Sequence, residues 1–437
     1  MSGTLNLSRL IARAEHANVH RPRGVVLDVV GMVIEIGGLR AAVGGVLEMR
    51  PTDDTVLELE VVGFRDGRLL ASPLGPVSGI RPGDEVRLSG RGAMIGVGPD
   101  LLGKVLDAFG RPLDDSKPQA EDRYPLQASP PPPFSRRPVD KAFHTGVRAI
   151  DTLLTLGVGQ RVGIFAGAGV GKSTLLGMIC RASSADVNVV GLIGERGREL
   201  NDFVRNALGE EGLRRSVVIA ATSDQPPLVR ARGAEAATAV AEYFRDQGKS
   251  VLLVMDSVTR YAMALRETAL AAGEPPATKG YPPSVFAALP RLLERTGTSG
   301  GVGVITALYT VFVEGDDLSD PISDAVRGIL DGHIVMSRRL AEKGHFPAID
   351  VLQSVSRLAP EVTSKAQFEV ASHARDLMGT YRDAQDLIQV GAYTSGTDPR
   401  IDAACAAVPK LEGFLRQTIR EHTPGGEAWA RLQVALK

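Results

Sequence analysis

The sequence predicts an α/β fold: a parallel sheet flanked by helices, with an N-terminal β-barrel before it and a helical domain after it. Three observations point there. From about Gly146 to Val355, apolar runs such as RVGIFAGAG, VNVVGLIGE, SVVIAAT, SVLLVMDS and GVGVITALY alternate with amphipathic stretches such as STLLGMICRAS and GAEAATAVAEYFRDQG. Strand-length runs that are apolar throughout belong to a sheet covered on both faces, and helices between them make βαβ units. From about Arg23 to Arg91 the runs are short and β-branched, broken at Gly37-Gly38, Gly44-Gly45 and Asp66-Gly67. After about Pro360 the period is helical, with turn signals at Gly391, Gly396 and Pro424-Gly425-Gly426.

In chain order, residues 1–20 place Leu7, Leu10, Ile11 and Ala14 at helical spacing, with Arg9 and Arg13 between them. An amphipathic helix that docks a partner or membrane surface and a frayed terminus fit this segment equally. Residues 21–95 read as a barrel or sandwich, because regularly spaced short strands with Gly and Asp-Gly turns close on themselves. Nothing titratable clusters there, so it reads as scaffold. PLQASPPPPFSRRP, Pro125 to Pro138, suits neither helix nor central strand and reads as a stiff surface connection, not a peptide ligand. Residues 96–360 carry the sheet, and 361–437 the helical domain.

Composition excludes several classes. A formal net charge of −1 over 437 residues gives no polyelectrolyte drive toward nucleic acid or acidic membrane. Two distant cysteines, Cys180 and Cys405, make neither a disulfide framework nor a Cys-x-x-Cys metal site and suit a reducing compartment. No secretory signal pattern or long apolar span occurs, so the expectation is a cytoplasmic protein with at most peripheral membrane attachment.

Four stretches carry chemistry. AGAGVGKST follows an apolar strand and opens a helix, the setting of a phosphate loop. The candidate cofactor-binding residues are therefore Gly167, Ala168, Gly169, Val170, Gly171, Lys172, Ser173 and Thr174. The glycines let successive N–H groups converge on a polyphosphate at a helix N-terminus. Lys172 would reach the β and γ phosphates, and the Ser173 hydroxyl would ligate Mg²⁺. The loop departs from the usual pattern at Ala166, which stands where glycine is common and is expected to keep a strand conformation. SVLLVMDS ends a buried strand in Asp256, a second candidate metal residue. VVGLIGERGREL ends another in Glu195, with Arg196 beside it and Glu199 a turn later. Position alone suits Glu195 to orienting an attacking water and to a surface ion pair equally. In FPAIDVLQSVSRLAP, Arg357 falls beyond the predicted sheet, and sequence physics does not single it out from other arginines.

The series AGAGVGKST, GERGREL, AEYFRDQGKSVLLVMDSVTRYAMA, EGDDLSDP and FPAIDVLQSVSR closely resembles the rotary ATP synthase catalytic-subunit superfamily, from about residue 20 onward. The resemblance implies a P-loop ATPase domain, ATP and Mg²⁺ as cofactors, and a six-membered ring. It further implies that Glu195 activates water, that Arg196 is a phosphate-site arginine, and that Phe346 lies against the adenine. Arg357 matches an arginine finger that reaches a neighbouring subunit's site. RETALAAGEPPATKGYPPSVFAALPRLLERTG and DLIQVGAYTSGTDPRID are similar to the flagellar type III export ATPases. That family implies stalk and regulator partners, export substrates with chaperones, and a place at the inner-membrane export gate.

A catalytic-type GER segment and a QSVSR segment in one chain favour a homohexamer over a mixed ring. The injectisome ATPases of virulence secretion are the alternative. A hexameric nucleic-acid translocase like the Rho termination factor shares the fold, but between residues 20 and 95 Phe64 is the single aromatic, too few for base stacking. A ring subunit that binds nucleotide without turnover is disfavoured by Glu195.

Overall fold

The computed structural model describes residues 22–51, 56–90, 92–313 and 320–437. The amphipathic segment 1–20 and most of EGDDLSDP lie outside the described residues. By packing, the chain divides into two compact units: Met1–Ala93 with Ala271–Gly273, and Met94–Leu270 with Glu274–Lys437.

The first unit holds six antiparallel strands: β1 (Arg23–Val30), β2 (Val33–Gly37), β3 (Val46–Met49), β4 (Leu57–Arg65), β5 (Arg68–Pro73) and β6 (Glu85–Leu88). They close into a barrel in the order β1-β2-β5-β4-β3-β6, and β6 pairs back onto β1. Ile34, Ile36, Leu47, Met49, Leu59 and Val86 fill the inside, the alternation expected of strands with one buried face. Asp66 and Gly67, with φ of 49° and 75°, form the two-residue turn between β4 and β5.

The second unit is built on a sheet of β7 (Val105–Leu106), β8 (Arg161–Ala166), β9 (Val187–Ile193), β10 (Ser216–Ala221), β11 (Ser250–Asp256), β12 (Val304–Phe312), β13 (Gly332–Met336) and β14 (Ile349–Ser356). Their order is β14-β13-β8-β12-β11-β9-β10-β7, with a two-residue strand, Gly297–Thr298, pairing onto β12. All neighbours are parallel except β13 with β14 and that short strand. The antiparallel edge strand was not anticipated, and Arg357 lies just beyond it, in the turn that follows the last residue of β14. β14 is half-buried, as an edge strand is, and so lacks the wholly apolar run that marks the central strands.

Helix α1 (Lys172–Ala182) follows β8 through the phosphate loop, and α2 (Pro227–Asp246) is buried along most of its length. Three helices close the chain: α3 (Lys365–Gln389), α4 (Pro399–Leu415) and α5 (Gly425–Ala435). Ser364 and Gln367 make a capping box at the start of α3. Ala371, Ala374, Leu411, Phe414, Trp429 and Leu432 from these helices share one hydrophobic core with Phe143, Ile150 and Ile164. The proline-rich connection is pinned to this unit. Arg136 donates to the Thr296 carbonyl at 2.8 Å and Arg137 to the Val302 carbonyl at 2.7 Å.

Candidate nucleotide site

β8 ends at Ala166, which keeps strand geometry, and the chain turns through Gly167–Gly171 into α1. Gly169 and Gly171 have φ of 77° and 88°, a region that side chains rarely enter. Ala168 and Gly169 are exposed, Val170 is buried beneath the turn, and Ser173 is exposed in the first turn of α1. Thr174 is half-buried one residue on. A loop of this shape at a helix N-terminus offers backbone N–H groups to an anion.

Sheet topology brings the distant carboxylates to it. Asp256 ends β11, and Leu192 of β9 is its direct neighbour across the pair. Glu195 therefore leaves β9 next to Asp256, at the carboxyl ends of the strands where open sheets of this kind place ligands. Lys172 Nζ forms an ion pair with Asp256 Oδ1 and lies 3.9 Å from Glu195 Oε1. Asp256 is buried, and its Oδ1 also accepts a hydrogen bond from Thr310 Oγ1 of β12 at 2.7 Å. Burial raises the Glu195 carboxyl to about 7, helped by its hydrogen bond to Glu199 and the nearby Asp256 charge, against the pull of Lys172. Glu199 is held below its ordinary range, chiefly by that same hydrogen bond. A carboxyl poised near neutrality beside a lysine is suited to accept a hydrogen bond from a reacting water.

The other expected residues are arranged differently. Arg196 is 82% exposed and pairs with Glu199 at 3.6 Å. Among the described residues no hydrogen bond or ion pair joins it to Lys172 or Asp256. Arg357 is exposed, and its backbone N–H donates to the Asp331 carbonyl at 3.0 Å. Its guanidinium has no ion pair or hydrogen bond among the described residues. Phe346 stands beside the loop: a side-chain carbon on Gly171 would lie 3.7 Å from its ring. The Phe346 ring, Val170, Thr174, Leu175 and the segment Arg416–Arg420 enclose a cleft of about 840 Å³ that opens from the phosphate loop. Apolar walls next to a polyphosphate cradle suit a nucleotide base.

Sequence reading passed over three features of this site. Thr310 sits in a largely buried strand that also carries the hydroxyls of Thr306 and Tyr309, so nothing in the run singled it out. Arg260 follows β11, and its stem packs against Gly194 beside Glu195. The segment Arg416–Arg420 carries no motif.

Ser173 and Asp256 supply two hard oxygen donors. Among the described residues no group of three or more His, Cys, Asp or Glu side chains forms a metal cage. A cation here would rely on phosphate oxygens and water for the rest of its shell, which fits Mg²⁺.

Residues 146–356 match the ATP synthase alpha/beta family, nucleotide-binding domain, and residues 363–434 match the T3SS EscN ATPase C-terminal domain. The chain is 50% identical over 411 residues to the "Flagellum-specific ATP synthase" of Bacillus subtilis (strain 168), covering 93% of this chain and 94% of that one. It belongs to the type III export ATPase family. Like others in the family, this export ATPase binds nucleotide and has relatives under two names. The "Flagellum-specific ATP synthase" of Salmonella typhimurium is 51% identical, covering 92% and 91% of the two chains. The "Type 3 secretion system ATPase" of Xanthomonas euvesicatoria is 49% identical, covering 91% and 90%. The solved structure of the assembled ATPase EscN from the enteropathogenic E. coli type III secretion system aligns with a TM-score of 0.90 and 44% identity, over 95% of this chain and 100% of that one. No helix among the described residues of the export ATPase is long and apolar enough to cross a membrane.

Proposed function

We propose that this export ATPase is a Mg²⁺-dependent ATP hydrolase of the flagellar type III apparatus, working as a ring of six identical chains. It would use hydrolysis to release and unfold export substrates from their chaperones at the inner-membrane export gate, with regulator and stalk proteins as partners. The meeting of Lys172, Asp256 and Glu195 at the mouth of the phosphate loop is the observation that carries the enzymatic reading. The flagellar assignment draws on the names of the Bacillus and Salmonella relatives and on the stretch Asp386 to Asp402. A role in virulence-type secretion is the second reading, favoured by the EscN-type C-terminal match.

In this reading the loop amides hold the β and γ phosphates, and Lys172 leaves Asp256 to meet them. Ser173 and Asp256 would hold Mg²⁺, which when bound draws negative charge off the phosphates. Glu195, as carboxylate, accepts a hydrogen bond from water and aims its lone pair at the γ-phosphorus. Phe346 packs on the adenine. Arg196 supports the phosphate end through Glu199. The guanidinium of Arg357, unpaired among the described residues, serves a neighbouring copy, donating to charge that grows on the phosphoryl oxygens. One chain carries both the loop and the finger, and the related EscN has been solved as an assembled ATPase in complex with its central stalk EscO.

The test is Mg²⁺-ATPase specific activity across a wide range of protein concentration. A steep rise is expected, and mixing inactive Lys172→Ala with inactive Arg357→Ala should restore part of the activity. Concentration-independent activity that falls to nothing in every mixture of the two would refute a site shared between copies.

A further inference from the structure

Among residues lining the base cleft, Gln417 differs from the rest. It is 5% exposed, and its amide is wholly engaged inside the protein. Gln417 Oε1 accepts from the Arg148 N–H at 3.0 Å, while Nε2 donates to the carbonyls of Gly146 at 2.8 Å and Glu421 at 2.7 Å. Its backbone N–H donates to the Phe346 carbonyl at 2.9 Å. One residue thus ties together the segment before the phosphate-loop strand, the Phe346 wall and the Arg416–Arg420 wall. Both amide hydrogens are donated and the oxygen accepts the Arg148 N–H, so the amide is held by the protein itself.

Two arginines reinforce the tie. Arg148, also buried, donates through Nε to the Phe414 carbonyl at 2.8 Å and bonds Glu421 and the Arg416 carbonyl through its guanidinium. From the other side, Arg181 of α1 donates to the Ile419 carbonyl at 2.6 Å. The loop that closes the base end is therefore held by side chains at both of its ends, and no strand pairing among the described residues crosses it.

We propose that Gln417 is a positioning residue for the nucleotide base, latching the Arg416–Arg420 wall and Phe346 at a fixed separation from the phosphate loop. Preorganised walls spare a ligand the cost of ordering them on binding. Loss of the amide leaves the buried Arg148 N–H without its acceptor and the Glu421 carbonyl without its donor, while the Gly146 carbonyl keeps the Thr423 N–H at 3.2 Å, and the wall relaxes to resatisfy the first two. The phosphate loop is held separately, by β8 and α1, and keeps its shape. Base affinity and phosphate affinity are thereby set by different parts of the chain. This inference rests on the reading of the cleft as the base site.

The experiment uses the purified full chain and two ligands: ATP, and tripolyphosphate, which has the phosphates and no base. Gln417→Ala is expected to raise KM for ATP roughly tenfold, as loss of a buried hydrogen-bonding group would, while kcat stays within about twofold and inhibition by tripolyphosphate is unchanged. Arg181→Ala loosens the same loop from its exposed side and should raise KM in the same direction by about threefold, which keeps the test open if Gln417→Ala does not fold. Equal loss of ATP and tripolyphosphate affinity, or a fall in kcat with KM unchanged, would overturn the latch. Phe346→Ala serves as the control for the site itself. If it alone shifts ATP against tripolyphosphate, the base site stands and the latch fails. If it shifts neither ligand, the cleft does not hold the base.

Discussion

At the phosphate end of the cleft, the groups that meet lie at the tips of β8, β11 and β9 and at the start of α1, and sheet geometry sets the separation of the backbone that carries them. At the base end, the walls come from the α1 start, from Phe346 and from Arg416–Arg420, joined by side-chain hydrogen bonds of Gln417, Arg148 and Arg181. The first arrangement is hard to alter without breaking the sheet. The second can be loosened one side chain at a time. The proposed roles put chemistry on the rigid half and affinity for the base on the adjustable half.

Substitutions separate the two halves, and the largest effects are expected at the phosphate end. Lys172→Ala removes the cation that serves Asp256 now and phosphate later, and phosphate release should fall on the order of 10³-fold or more, with weakened ATP binding. A variant that still turns over at a tenth of the normal rate would take Lys172 out of the transition state. Arg357→Ala should fold and bind ATP yet lose about 10³-fold in kcat, read under conditions where the ring is assembled. Full activity there would remove it from the site. Glu195→Gln should keep nucleotide binding, measured by a fluorescent ATP analogue, and lose about 10²–10³-fold in hydrolysis. Undiminished turnover would sink the water-orienting role.

Smaller shifts sharpen the boundary between the halves. Thr310→Val leaves Asp256 without its 2.7 Å hydrogen bond and should raise the Mg²⁺ concentration for half-maximal rate about tenfold, with KM for ATP little changed at saturating Mg²⁺. Phe346→Ala should raise KM for ATP by several-fold, roughly 1 kcal/mol of lost packing, and leave kcat nearly intact. If Phe346→Ala instead struck kcat as hard as Glu195→Gln, the two halves would not be separable.

The same division decides what was legible in the sequence. The barrel showed in its β-branched runs and Asp-Gly turn, and the central strands in their unbroken apolar stretches. The phosphate loop showed because its chemistry is made by consecutive residues between a strand and a helix. Asp256 and Glu195 showed as carboxylates ending apolar runs. Five-residue β13, interrupted by His333, and half-buried β14 were too weakly patterned to see. Little local marks Gln417, since all its partners but Glu421 lie far off, at Gly146, Arg148 and Phe346, and an ordinary glutamine after a helix gives no period or spacing to read. Arg357 escaped physical reading for the opposite reason: the partner proposed for it belongs to another copy.

The bond from Arg148 to Gln417 spans 269 residues. At roughly 5–20 residues added per second, the phosphate loop waits on the order of tens of seconds during synthesis before its opposite wall exists. Closing so distant a contact costs more chain entropy than any local turn and comes late. Strand β8 gains its sheet neighbours β12 and β13 only when residue 336 has been made, so the phosphate end is framed first and the wall for the base follows about 80 residues later.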